Sequence, residues 1–258
     1  MLGLGTSVTN IDSGQVYKEL SELSNYADLD IHFDFSTLSG DGDTEVTAAT
    51  NLGATDDTND ITSNEGTPTL DRTTLSRACV DFPNSGDNDN ILDMAANYTT
   101  TARAMTFFIV FQWDAAAVEM LVANADDSSD DYIQLATGGR LKFAMAGGTA
   151  SLVITSNTNN STVDYTPAIN TPVVMLIQRE VGGDSHFYHD NNIYTAYLAN
   201  TGDASFTLGA IGGTTAGSLN DFNGKVCEVG LYDADIGSAN IAPLLESLCT
   251  KWGINRRE

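Results

Sequence analysis

Three histidines and nine glutamates are the residues with which this chain could do acid–base chemistry, and their spacing argues against most of it. His186 and His189 invite a metal reading. In a strand, however, residues three apart point to opposite faces, so the two do not converge on one ion without a bulge. An edge strand or surface position is expected for both. His32 alternates with Asp30 and Asp34, which sets all three on the polar side of a strand, where the carboxylates would raise the imidazole pKa. Glu119, Glu180 and Glu228 each lack an acidic neighbour at strand spacing, so no acid and nucleophile pair for glycoside hydrolysis is formed locally. A G-x-S-x-G elbow, H-E-x-x-H, a Walker loop and a dinucleotide fingerprint are all absent.

Hard oxygen donors are more plentiful. Asp126, Asp127, Asp130 and Asp131 form one loop cluster, Asp41, Asp43 and Glu45 a second, and Asp87 and Asp89 a third. Calcium, which takes roughly 6 to 8 oxygen ligands, is the cofactor such loops could hold, and Asp126, Asp127, Asp130 and Asp131 are the candidate ligands. None has EF-hand spacing, because Ile91 stands where a third donor belongs and the glycine is missing. Solvated acidic loops are the alternative. Tyr132, Tyr188 and Tyr194 are candidate platforms for a sugar ring, with core or sheet-face packing as the competing role. Three cysteines, Cys79, Cys227 and Cys249, form no C-x-x-C and are expected as buried thiols.

Positioning these residues falls to a mostly β chain. Asp12 to Leu23 carries a short helical pattern with Val16, Leu20 and Leu23 on one face. Ala27 to Ser36 alternates, with Leu29, Ile31, Phe33 and Phe35 on one side. The stretch 39–70 is rich in Asp, Thr, Asn and Gly and reads as a long, partly ordered excursion. Met105 to Trp113 is apolar on both faces, which suits a central strand covered on both sides. Gly-Gly doublets at 138–139, 147–148, 182–183 and 212–213 punctuate the rest of the chain, and the first predicts a hairpin joining DYIQLAT to RLKFAMA. Further strands are predicted at 151–155, 172–180, 185–190, 193–198, 205–211 and 225–233, the last with Cys227, Val229 and Leu231 on one face. Such spacing indicates an antiparallel sandwich or barrel. Ser238 to Trp252 is a helix with Ile241, Leu244, Leu245, Leu248 and Trp252 on one face, Ser238 as N-cap, Pro243 in the first turn and Gly253 as its stop.

The chain has 258 residues, 41% of them hydrophobic, with 35 acidic against 11 basic residues and a formal charge of -24. Asp outnumbers Glu, so the acid is expected in turns rather than helices. Four lysines leave no cationic surface for a phosphate backbone, which argues against nucleic acid as a direct partner and disfavours anionic membranes. No apolar run approaches the roughly 20 residues that cross a bilayer, so membrane insertion is not expected. The first ten residues lack the basic start of a secretion signal. Self-repulsion at this charge is best tolerated in salt.

The closing segment, Phe222-Asn223-Gly224-Lys225-Val226-Cys227-Glu228-Val229-Gly230-Leu231-Tyr232-Asp233 with a helix after it ending Lys251-Trp252-Gly253-Ile254, resembles the C-terminal signature of laminin G-like jelly rolls in the concanavalin A-like superfamily. The resemblance covers roughly residues 26 to 254. It implies an all-β, antiparallel jelly-roll sandwich with a short C-terminal helix and a short N-terminal helical segment. Residues 1–25 would then be an anchoring segment and 255–258 a basic tail. Met1-Leu2-Gly3-Leu4-Gly5 resembles the opening of structural proteins of tailed phages that infect marine cyanobacteria. Together these imply a non-enzymatic virion protein, a capsid decoration or tail component that displays its domain at the particle surface. Its implied partners are other virion proteins or further copies of itself as a homo-oligomer. The alternative is a carbohydrate-binding module that reads host surface glycan. Glucanases of the superfamily carry an E-x-D-x-E or E-x-D-x-x-E strand, which this chain lacks.

Overall fold

A computed structural model describes residues 18–75, 77–83, 90–101, 104–115, 117, 119–125, 131–136, 140–144, 152–154, 168–180, 185–189, 205–214 and 221–254. Among the described residues, two sheets of seven strands each carry the fold. The first contains β1 (Ile31–Asp34), β3 (Thr69–Asp71), β4 (Cys79–Phe82), β6 (Met105–Trp113), β11 (Pro172–Arg179), β12 (Ser185–His189) and β14 (Gly224–Tyr232). Its order is β12-β11-β6-β14-β4-β3, and β1 pairs with the second half of β14. The second contains β2 (Ile61–Glu65), β5 (Ile91–Thr99), β7 (Glu119–Ala123), β8 (Tyr132–Ala136), β9 (Arg140–Ala144), β10 (Leu152–Ile154) and β13 (Thr207–Ile211). Its order is β10-β9-β8-β7-β13-β5-β2, and all pairings between named strands in both sheets are antiparallel. Strands β8 and β9 pair antiparallel as expected, with Ala136 opposite Arg140, while the turn predicted at 138–139 lies outside the described residues.

Alternation along the central strands builds two cores. Phe107, Ile109, Phe111 and Trp113 of β6 point between the sheets, with Ile133, Leu135 and Phe143 among those facing them. Phe108 and Val110 of the same strand point outward, onto helix α1 (Ser238–Trp252). The double-faced apolar pattern of 105–113 therefore marks a strand buried by a sheet on one side and a helix on the other. Leu20, Leu23 and Leu29 complete this second core, so the 3₁₀ turns Leu20–Glu22 and Tyr26–Asp28 pack against the body of the domain.

Several expectations need correction. Cys227 does not share a face with Val229 and Leu231. A bulge between Val226 and Glu228 turns Cys227 and Glu228 toward the helix, while Val226 and Val229 stay in the sandwich core. Five strands, β2 to β5 and β7, lie where the residue pattern predicts none. Around 39–70, order comes from side-chain ties: Asn51 accepts from the backbone N–H of His32 at 2.7 Å and of Gly53 at 3.0 Å, and donates to Thr55 Oγ1 at 2.9 Å. Gly237, not Ser238, is the N-cap, and Pro243 sits in the second turn of α1. Gly253 ends the helix at φ 66°, a left-handed position that favours glycine. The strand predicted at 193–198, the tail 255–258 and residues 1–17 of the anchoring segment lie outside the described residues.

Candidate functional site

Two sites meet along α1. The first is a buried polar clasp assembled from the closing signature. Strand β1 pairs with β14 so that Asp34 faces Glu228 and His32 faces Gly230. Gly230 has no room for a side chain, because a Cβ there would collide with the Phe108 ring. Glu228 is 0% exposed. One of its oxygens accepts from His32 Nε2 at 2.8 Å, and the other from Lys251 Nζ at 2.8 Å and Trp252 Nε1 at 2.7 Å. Lys251 reaches Asp34 as well, at 2.7 Å. His32 Nδ1 stands 3.3 Å from the Tyr26 hydroxyl, which suits the tautomer with its hydrogen on Nε2. Burial pushes the Asp34 carboxyl up, but the Lys251 ammonium and the Ser36 hydroxyl outweigh it and hold the carboxyl below its ordinary value.

A histidine, two carboxylates and a lysine within bonding reach resemble a catalytic constellation by type. The geometry assigns them a structural task instead. The Lys251 side chain is only 7% exposed and bonds both carboxylates, and Glu228 is fully buried beneath it. His32 is therefore not on a solvated polar face, and its acidic partner is Glu228 rather than Asp30.

The second site is a cleft of about 240 Å³ on the other flank of the helix, between α1 and the turns at 18–25. Lys18, Leu23 and Asn25 line one wall, and Asn240, Pro243, Glu246 and Ser247 the other. Ser247 is 2% exposed and Asn25 is 8% exposed. The Ser247 hydroxyl and the Asn25 amide nitrogen are buried without a hydrogen-bond partner among the described residues. Such orphans are uncommon, because each costs about 1–3 kcal/mol. Lys18 and Glu246 bring one charge of each sign to the walls.

At the end of the sandwich two charged groups are tied into the frame. Lys225 bonds Asp114 at 2.9 Å and lies 3.5 Å from Asp81 and 3.8 Å from Asp71. Burial pushes the Asp71 carboxyl up, yet hydrogen bonds from Thr74 and Thr73 bring it down to about 2. Glu119 is buried and accepts from Trp113 Nε1 at 2.6 Å and the Asn223 N–H at 3.2 Å. Burial dominates there and lifts the carboxyl to about 7.

The residues singled out from sequence are scattered over both sheets. Tyr188 is 4% exposed under α1 and donates to Gln178 Oε1 at 2.8 Å. Tyr132 packs with Met120 and Ala123 on the other sheet, so the two tyrosines do not converge. Tyr194 lies outside the described residues. Asp131 is buried and accepts from the Thr207 N–H at 3.0 Å, which anchors β13; Asp126, Asp127 and Asp130 lie outside the described residues. Among the described residues, no three His, Cys, Asp or Glu side chains form a group that could hold a metal ion. His186 lies on β12, which ends its sheet among the described residues, 2.8 Å from Glu180, and its ring meets Tyr188 while that of His189 meets Phe187, so the histidines occupy opposite faces as expected. The cleft residues carried no sequence signal. Asn25 and Ser247 come from opposite ends of the chain and meet only through packing.

No family model matches the chain, and no curated protein matches it. Among solved structures it is similar to domain 4 of AbnA, a GH43 extracellular arabinanase from Geobacillus stearothermophilus, in complex with arabinotriose. That likeness has a TM-score of 0.54 and 11% identity over 84% of this chain and 98% of the other. The receptor binding domain of botulinum neurotoxin D gives a TM-score of 0.56 and 10% identity, covering 87% of this chain and 54% of that one. The botulinum neurotoxin serotype G binding domain gives 0.54 and 8%, covering 83% and 50%. The chain thus spans about half the length of the two toxin domains. At these identities the likeness is one of fold, a sandwich of two antiparallel sheets.

Proposed function

We propose that this chain is a non-catalytic carbohydrate-binding module and that the cleft beside α1 holds a neutral sugar. The observation that carries this reading is the pair of buried orphan groups in the cleft walls, Asn25 Nδ2 and Ser247 Oγ. A sugar hydroxyl accepts from an amide and both donates to and accepts from a serine, so one hydroxyl-rich ring would satisfy both once a small shift of the 18–25 turns uncovers the two atoms, which are closed to water in the unliganded chain. Lys18 and Glu246 offset each other, which favours a neutral ligand over an anion, and Leu23 and Pro243 offer an apolar patch to a sugar's C–H face. At about 240 Å³ the cleft is smaller than the roughly 300 Å³ and upward of drug-sized pockets, and suits one ring rather than a long chain. The fold shared with an arabinotriose-bound domain supports the reading, and the closed Asp34 and Glu228 pair supports a binding role over hydrolysis. Titration calorimetry with arabino-oligosaccharides and a panel of neutral glycans tests it. Saturable binding that Ser247→Val removes is expected; no saturable binding to any of them overturns it.

A display role at a virion surface, with residues before Lys18 and the tail 255–258 meeting neighbouring virion proteins, is proposed alongside. It is favoured by the placement of charge: Lys225 and Lys251 are tied to carboxylates in internal ion pairs, so neither is free to offset the remaining acidic residues at the surface. Because Leu20 and Leu23 belong to the second core, the truncation that tests attachment stops at residue 17. Loss of incorporation into particles with an unchanged melting temperature is expected, and full incorporation would contradict it.

A further inference from the structure

Cys79 in β4, Cys227 in β14 and Cys249 in α1 are far apart in sequence, yet all three are buried in the core beneath the helix. Strands β4 and β14 are antiparallel neighbours in which Lys225 faces Asp81 and Val226 faces Val80. Cys227 and Cys79 are the next residue on each strand, immediately past the last paired positions. Opposed residues of an antiparallel pair have Cα atoms about 4.5–5.5 Å apart. That lies within the roughly 4.4–6.8 Å that a disulfide spans. Both side chains lie in the buried cluster on the helix face, and the Cys79 thiol adds to burial in pushing the Cys227 thiol up.

We propose that Cys79 and Cys227 are a latent cross-strand disulfide, held as two thiols in a reducing medium and closed by a small-molecule disulfide in an oxidising one. The thiolate of one cysteine attacks oxidised glutathione, forming a mixed disulfide and releasing one glutathione thiolate. The second cysteine thiolate then attacks the protein-bound sulfur, forming the Sγ–Sγ bond and releasing the second glutathione thiolate. The protein gives up two electrons and two thiol protons, and the small disulfide is reduced to two thiols. Both cysteines are fully buried, so the reaction waits on α1 lifting from the sheet and is slow in the cold. Burial also pushes the Cys227 thiol up, which slows it further. The bond would close a loop of roughly 150 residues and raise the melting temperature by about 10 °C.

The full chain is incubated with oxidised glutathione at a temperature just below its melting transition. It is then denatured, its remaining thiols are counted, and its peptides are mapped by mass spectrometry. One remaining thiol, a Cys79–Cys227 linked peptide and a melting temperature that rises and then falls back with dithiothreitol are expected. Three remaining thiols, glutathione adducts alone, or a link to Cys249 would overturn the assignment. Cys249→Ala should keep the link and the rise, while Cys227→Ala should lose both. Peptide mapping of the unmodified chain decides the matter even where a variant fails to fold.

Discussion

Helix α1 treats polar groups in opposite ways on its two flanks. On the flank facing β14, Glu228 receives three hydrogen bonds and Lys251 is shared between two carboxylates. On the flank facing the 18–25 turns, Ser247 and Asn25 keep buried polar atoms with no partner among the described residues. Both flanks are equally closed to bulk water at these atoms, so burial does not separate them. The contrast teaches that a saturated polar cluster fixes the position of the helix, whereas an unsaturated one in a cleft wall is what a ligand can complete.

Substitutions should divide along the same line. The largest effect is expected for Glu228→Gln, which leaves Lys251 and His32 without the charge they share; breaking a buried pair costs about 3–5 kcal/mol. Thermal denaturation should show a fall of roughly 10 °C. A loss of only a degree or two would mean that the clasp is not what holds α1. Gly230→Ala comes next, because its Cβ would press on the Phe108 ring, and overpacking costs about 1–3 kcal/mol. Denaturant midpoints would measure it.

Glu119 provides a smaller, pH-dependent effect away from both flanks. Its carboxyl sits at about 7 in the folded chain against an ordinary 4.5, so the folded state holds a proton that the unfolded chain releases. This contribution is complete below about 4.5 and is lost as pH rises through about 7. Asp93, lifted to about 6 first by burial and then by Glu65, acts over an overlapping window. Glu119→Gln keeps the acceptor for Trp113 and should flatten the decline in stability between pH 5 and 8 by about 1–2 kcal/mol. An unchanged slope would contradict the burial of that carboxyl. Last comes Ser247→Val, the one change of opposite sign: it removes a buried orphan hydroxyl and should stabilise the fold by about 1 kcal/mol while removing ligand binding.

Much of the frame is legible in the sequence. The apolar runs at 105–113, 172–180 and 205–211 and the helical face of 238–252 all mark real elements, because each buries a regular apolar face. The closing segment also contains much of the clasp: Glu228, Lys251 and Trp252 all lie within it and meet in space. Strands β2 to β5 and β7 are not legible, since their neighbours and, around β2, Asn51, rather than an apolar alternation, hold them in place. Alternation misplaces Cys227 because a bulge, which adds one residue without changing composition, reverses the faces after it. The cleft is invisible for a deeper reason. Its walls are defined by what two distant segments fail to pair, and a missing hydrogen bond leaves no pattern in a sequence.

Chemical-shift mapping on the isotope-labelled chain, titrated with arabinotriose and then with other neutral oligosaccharides, tests the binding role most directly. Saturable shifts confined to Lys18, Leu23 to Asn25 and the Asn240 to Ser247 flank of α1 are predicted, with Glu228 and Trp252 unmoved. Saturable shifts centred anywhere else on the sandwich, or no shift with any of these sugars, would contradict it.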